Sequence, residues 1–433
     1  MSAADAVPVF LMLLLLWVSV ALKIWLKMLR GPGARQQLAL VAQHVGEPRK
    51  RFVSAFRGAT TLLTALGILA VDFQAFPRRY AKAERHGQGL MDAGVGAVVF
   101  AGGLVSKAAL ADAAASRGAL RRVLSGLRSA APLLALGLAR LLATRAAGYQ
   151  QHVGEYGVHW NFFLTAAAVG LLTLAVRVPR RLLLPVGLLV AAAHQAALSL
   201  GGLSDWVHSE ERGPGWVSLN KEGVASVAGY WAIHLLGAAA GEHLRGSCAA
   251  ASAGVRARLT VPHKRGGGAG AGGGGGGGGG SGHEGGVGAA SQALACNAAY
   301  VLWVSAQCGA SLAMCLITDA VSTALVGAPP HRTLPLPPGP SGPGGPGAPS
   351  SSGSSGGGAA GASGYGAPLL LEAFNRNMLA LFLAANLATG AVNLGVDTLS
   401  VGHGAARAIV GTYLVAVCLL AVALDALNIT LKL

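Results

Sequence analysis

Asp72 is followed within ten residues by Arg78, Arg79 and Lys82, in the stretch Asp72-Phe73-Gln74-Ala75-Phe76-Pro77-Arg78-Arg79-Tyr80-Ala81-Lys82. The acid stands where an apolar run ends, and Pro77 with the aromatics shapes a turn. A carboxylate at a partly desolvated helix end has its charged form disfavoured and can serve as a general base. The cations can receive a phosphate or stabilise a developing oxyanion. The same residues also suit an Asp–Arg or Asp–Lys pair that merely fixes the turn.

A second polar stretch reads Gln151-His152-Val153-Gly154-Glu155-Tyr156-Gly157-Val158-His159-Trp160-Asn161-Phe162-Phe163. Glu155 and His159 are four apart and share a face if helical. A His–carboxylate pair moves protons near neutral pH. Tyr156 and Trp160 also fit a membrane–water boundary. His152 does not give the spacing of a helical zinc motif, and no metal site is expected.

Three further groups complete the candidates. Asp92 opens the run Met91-Asp92-Ala93-Gly94-Val95-Gly96, where the acid can face a polar cavity and the glycines suit close helix packing. Asn220-Lys221-Glu222-Gly223 opens another helix, with Asn220 in position to cap it. Asn386 and Asn393 are seven apart, and Asn393 and Asp397 four apart, which makes one polar stripe. Such a stripe lines a cavity or joins helices.

The elements that carry these groups are membrane helices. Of 433 residues, 53% are hydrophobic and only 12% charged, about half the charge of an ordinary soluble domain. A spanning helix needs about 20 mostly apolar residues. Runs of that kind centre on 9–26, 58–73, 89–106, 130–147, 158–176, 181–200, 222–242, 295–326, 376–396 and 405–427. The expected fold is all-α, a polytopic bundle of about 10–13 spans in a single domain over 1–433. The 295–326 run is long enough for two short helices, and 9–26 reads as a retained first helix rather than a cleaved leader.

Residues 244–290, with a nearly pure glycine run, and 328–366, rich in Pro, Gly and Ser, are expected to be disordered loops. The glycine run lacks the Lys-Ser/Thr ending of a phosphate loop. The net charge of +16 comes from Lys and Arg set between apolar runs, which fits membrane orientation and not nucleic-acid binding. The basic stretches 27–57, 117–128 and 177–181 fall on one side, expected to be cytoplasmic, and the acidic stretch Asp205 to Glu211 on the other. Arg78, Arg79, Lys82 and Arg85 break that rule. The five cysteines make no CxxC pair and read as small buried hydrophobes.

Taken in order, the motifs resemble the inositol acyltransferases of glycosylphosphatidylinositol (GPI) anchor synthesis, the GPI-anchored wall transfer or PIG-W family. They are Asp72-Phe-x-x-Phe-Pro-Arg-Arg-Tyr-Ala-Lys82, Leu90-Met-Asp-x-Gly-Val-Gly96, Glu155-Tyr-Gly-Val-His-Trp-Asn-Phe-Phe163, Asn220-Lys-Glu-Gly223, Tyr300-Val-Leu-Trp303, Asn386-Leu-x-Thr-Gly-x-Val-Asn-Leu394, Asp397-Thr-Leu399 and Leu427-Asn-Ile-x-Leu-Lys-Leu433. Asn297-Ala298-Ala299 departs from the Asn-Leu-Pro usual there. The resemblance implies a multi-pass protein of the endoplasmic reticulum membrane. It implies transfer of a palmitoyl-like chain from acyl-coenzyme A to the inositol 2-hydroxyl of glucosaminyl-phosphatidylinositol, with no cofactor beyond that co-substrate. It also points to Asp72 and Lys82 as the reactive pair; His159, from the residues themselves, stands in reserve as base. Arg78, Arg79, Asp92, Glu155, Trp160, Asn161, Asn220, Lys221, Asn386, Asn393 and Asp397 are then expected around the two substrates. A membrane transporter, or a non-catalytic subunit of an anchor-assembly complex, is the alternative. A transporter would be expected to show a two-half repeat, which the sequence lacks.

Overall fold

A computed structural model describes residues 51–77, 81–82, 89, 91–106, 119–146, 156–260, 296–326 and 369–431, together with Lys23 and Val41. Its long helices are α1 (Arg51–Ala70), α2 (Asp92–Leu104), α3 (Ala119–Ala146), α4 (Phe162–Ala175) and α5 (Leu183–Leu200), the last entered through a 3-10 turn at Arg180–Leu182. Two short helices, α6 (Leu203–His208) and α7 (Trp216–Leu219), lead into α8 (Lys221–Thr260). Then follow α9 (Ala298–Val326), α10 (Leu369–Arg376), α11 (Met378–Gly395) and α12 (His403–Ala426). No strand occurs among the described residues, so the all-α expectation holds.

Helices persist here because lipid offers no partner to a backbone or hydroxyl group. In α1 the hydroxyls of Thr60, Thr61 and Thr64 therefore donate to carbonyls four residues back, those of Phe56, Arg57 and Thr60, at 2.8–3.1 Å. Six helices are long and apolar enough to cross a membrane: Arg51–Ala70, Arg180–Leu200, Lys221–Gly246, Ala298–Thr323, Met378–Gly395 and His403–Ala426. The expected 10–13 is not reached among the described residues, for identifiable reasons. α2 and α4 are apolar but only 13 and 14 residues long, short of the length a hydrocarbon core of about 30 Å requires. The 158–176 run includes a turn that ends only at Asn161, so its helix starts late. The 9–26 run lies outside the described residues. The 295–326 run is one helix and not two.

Another boundary moves. α8 continues to Thr260, 16 residues past the 244 at which a loop was expected, because Ala- and Arg-rich sequence after Gly246 still favours helix. Residues 261–290 and 328–366, the remainder of the two expected loops, lie outside the described residues.

Contacts at two heights give each pair its direction. Phe56 meets Phe100 edge-on at 6.4 Å, and a methyl on Gly94 would stand 3.8 Å from Thr64, so α1 and α2 are antiparallel. Methyls on Gly237 and Gly241 would fall 2.4 and 2.2 Å from the carbonyls of Phe100 and Leu104. The backbones of α2 and α8 therefore touch and run parallel, which only glycine permits. α3 opposes α4, with Gly126 against Leu174 and Gly137 against Asn161. α1 and α11 are parallel: the Tyr413 hydroxyl lies 3.0 Å from the Ala65 carbonyl and 3.2 Å from that of Ala385, and further along both chains Asn393 meets Asp72.

These directions sort the chain into two ends. Asp72, Asp92, the 157–161 turn, Asn220–Glu222 and Asn393 gather at one. Arg51, Arg177, Arg245 and the Arg-bearing start of α3 gather at the other, the grouping that loop charge predicts. The apolar interior divides likewise. One cluster joins Phe52 and Phe56 to α2, α8 and α9, and the other joins Ala65, Leu69 and Phe73 to α10, α11 and α12. Both rest on α1.

Candidate functional site

Asp72 follows α1 in a turn closed by its own N–H donating to the Leu69 carbonyl at 3.1 Å. Phe73, wholly buried beside it, anchors that turn in the second apolar cluster. The turn meets the last part of α11, where the Asn393 amide donates through Nδ2 to Asp72 Oδ2 at 2.8 Å. The two residues are 321 positions apart. The other amide atom, Asn393 Oδ1, is buried and receives no hydrogen bond among the described residues. Next to Asn393, Val392 lines an apolar cleft of about 510 Å³ between α11 and α12, with Ala384, Ala388, Ile409, Tyr413 and Leu420.

Below this corner the structure is tied down. Tyr413 joins α1, α11 and α12 through the two carbonyls given above, and Thr389 Oγ1 lies 3.4 Å from its hydroxyl. Arg376 pairs with Asp425 between α10 and α12. Asn377 acts like an added backbone unit, donating to the Ile429 carbonyl at 3.0 Å and accepting from Leu431 N–H at 2.9 Å. This fixes the backbone of residues 429–431 against the junction of α10 and α11.

Of the expected polar stripe, only Asn393 reaches the site. Asn386 Nδ2 donates to the Phe382 carbonyl of its own helix at 2.7 Å. Asp397 is exposed, lies past the end of α11, and accepts from Leu399 N–H at 3.3 Å. Lys82 is described and exposed after the Asp72 turn. Arg78, Arg79 and Glu155 lie outside the described residues, so the Glu155–His159 pair does too.

The second corner centres on Asn220. Its side chain accepts from His159 N–H at 2.7 Å and donates to the Trp216 carbonyl at 2.8 Å. Gly157 makes the approach possible: its φ is +102°, a left-handed region that favours glycine, and a methyl there would lie 2.5 Å from Asn220 Cα. Lys221, wholly buried, donates from Nζ to the Ser209 carbonyl and hydroxyl at 2.5 and 2.7 Å and to the Glu211 carbonyl at 3.2 Å. Glu222 takes Arg212 in a two-point fork at 2.5 and 3.1 Å. Trp160 packs against Gly223, where a methyl would come within 2.3 Å of its ring, and on Trp216 at 5.4 Å. Its Nε1 donates to Thr165 at 2.8 Å.

Asn161 caps α4, accepting from Phe163 and Leu164 N–H, and donates to the Gly137 carbonyl at 2.9 Å. Asp92 is buried, accepts from Gly89 N–H at 2.7 Å through Oδ2, and takes Tyr300 on its carbonyl at 2.6 Å. Asn161, Asn220, Lys221 and Asp92 were expected around the substrates. Their side chains hold the turns that surround His159 and the start of α2. Sequence reasoning missed the partners of Lys221 because they sit on the 209–211 loop, whose polar residues look like ordinary surface.

No group of acids, histidines and cysteines suited to a metal occurs among the described residues. Burial pushes the Cys296 thiol well up, away from the thiolate a nucleophile requires.

A bundle of lipid-length helices with two buried polar corners at one end defines a polytopic helical membrane protein. The chain belongs to the GWT1 family, whose sequence model matches residues 1–264 and 289–424. The unmatched gap holds the glycine run. The chain is similar to "GPI-anchored wall transfer protein 1" of Aspergillus oryzae, 37% identical over 404 residues, covering 89% of this chain and 74% of that one. It is similar also to "Glucosaminyl-phosphatidylinositol-acyltransferase PIGW" of Bos taurus, 31% identical over 387 residues, covering 88% and 74%. With "Phosphatidylinositol-glycan biosynthesis class W protein" of Dictyostelium discoideum the identity is 28% over 423 residues.

Proposed function

We propose that this chain is a membrane O-acyltransferase that moves a fatty acyl chain from acyl-coenzyme A to the inositol 2-hydroxyl of glucosaminyl-phosphatidylinositol in the endoplasmic reticulum membrane. The observation that carries this reading is the carboxylate of Asp72 held by Asn393 at the site end of the bundle, beside an apolar cleft. The name of the bovine relative supplies the acceptor. Acyl transfer needs a base for the hydroxyl, a cation or donor for the oxyanion, and a place where an alkyl chain can lie.

In this reading Asp72 takes the hydroxyl proton as the oxygen attacks the thioester carbonyl. The tetrahedral intermediate then expels the coenzyme A thiolate, which is protonated as it leaves. Lys82 stabilises the oxyanion or supplies that proton. Arg78 and Arg79 meet a phosphate of either substrate. No acyl-enzyme is required, and the acyl donor is a co-substrate, not a resident cofactor.

Asp72→Asn and Lys82→Ala, assayed in membranes with acyl-coenzyme A and glucosaminyl-phosphatidylinositol, test the assignment. Loss of turnover at equal protein level supports it, and near-normal turnover in both sinks it. Acceptor movement across the bilayer without acylation would instead favour a transporter.

A further inference from the structure

We propose that Asn393 is a specificity-determining residue that reads a hydroxyl next to the reacting one, so that the site recognises a vicinal hydroxyl pair. The proposal rests on the reading of Asp72 as the base for an inositol hydroxyl.

The argument begins with the orientation of one amide. An asparagine beside a carboxylate must turn its NH2 towards it, since the opposite orientation would set two acceptors face to face. The 2.8 Å contact from Nδ2 to Asp72 therefore settles where Oδ1 goes. That oxygen is buried, and no donor reaches it among the described residues. A buried acceptor left without a donor is costly, and at a site it calls for a ligand group that supplies one.

The corner thus presents two kinds of acceptor side by side, a carboxylate and an amide oxygen. A thioester carbonyl and ionised phosphates carry no hydrogen to donate, so the reacting group and the phosphates of the acyl donor satisfy neither. A polyol satisfies both. The hydroxyl that attacks gives its proton to Asp72, and the hydroxyl on the adjoining ring carbon donates to Asn393 Oδ1. In the proposed acceptor the 2-hydroxyl has the phosphate on one side and the free 3-hydroxyl on the other, so the 3-hydroxyl is the group assigned to Asn393. Asn386, on the same helix, does not compete for it, because its amide is turned onto the Phe382 carbonyl.

The test uses the full chain in membranes, with acyl-coenzyme A and two acceptors: glucosaminyl-phosphatidylinositol and its 3-deoxy analogue. The unsubstituted protein is expected to favour the full acceptor in kcat/KM by about tenfold or more, the effect of stranding a buried acceptor. Asn393→Ala is expected to lose that preference, whatever its absolute rate, while the KM for acyl-coenzyme A stays unchanged. Because the readout is a ratio within one preparation, it does not depend on how much of the variant folds. If Asn393→Ala keeps the full preference, or the unsubstituted protein shows none, the assignment is overturned. If the unsubstituted protein acylates neither acceptor, the underlying acyltransfer reading falls instead.

Discussion

The two polar corners at the site end are built on opposite terms. Around Asn220–Glu222, oxygen and nitrogen atoms are matched one to another: Lys221 with the 209–211 loop, Glu222 with Arg212, Asn220 with His159 and Trp216. Around Asp72, the matching stops one atom short, at Asn393 Oδ1. Buried polar groups that satisfy each other hold an architecture. On the proposed function, the acceptor left over beside the Asp72 carboxylate takes a substrate group, which would assign the Asn220 corner to positioning and the Asp72 corner to chemistry.

Four substitutions would break or sharpen this contrast. The largest effect is expected from Asp72→Asn, which should lower turnover by about 10²–10⁴-fold and leave the melting temperature in detergent near that of the unsubstituted protein. A large fall in melting temperature would move Asp72 into the structural class. Glu222→Ala should do the reverse. It strands Arg212, and losing one partner of a buried pair costs about 3–5 kcal/mol, so it should lower melting temperature and yield while activity per folded molecule changes little. Gly223→Ala puts a methyl against the Trp160 ring and should cost about 1–3 kcal/mol by overpacking, read in the same melt. Asn386→Ala is expected to change neither stability by more than about 0.5 kcal/mol nor turnover, in contrast to Asn393→Ala. An active-site loss in Asn386→Ala would revive the idea of a stripe lining the cavity.

The stripe shows where sequence reasoning reaches and where it stops. Spacing puts Asn386, Asn393 and Asp397 on one line if α11 continues, but it does not say where the helix ends or which turn of it meets another element. α11 stops at Gly395, so Asp397 is off the line. Asn386 lies two turns from the end of α1 and bonds to its own helix, as amides in apolar helices do when nothing else is near. The 40-residue α8 was legible as an apolar run to about residue 242, yet its continuation, with charges and glycine, could not be told from a loop by hydropathy. Conversely, the close packing expected of Gly96 was readable, because close helix contacts depend on residue type at one position, whereas the capping role considered for Asn220 gives way to bonds with His159 and Trp216.

By itself the sequence determined that this protein lies in a membrane, that it is helical, that its basic stretches other than Arg78–Arg85 group on one side, and that Asp72 stands at the end of an apolar helix. These follow from local hydropathy and charge, which act on each segment independently. Tertiary structure alone decided that Asp72 meets Asn393, that Lys221 is buried among carbonyls, and that Asp92 and Asn161 hold turns. Those outcomes depend on the heights at which helices pack. The heights are set by backbone contacts at Gly103, Gly237 and Gly241 and by the Tyr413 tie between α1, α11 and α12, which join residues far apart in the chain.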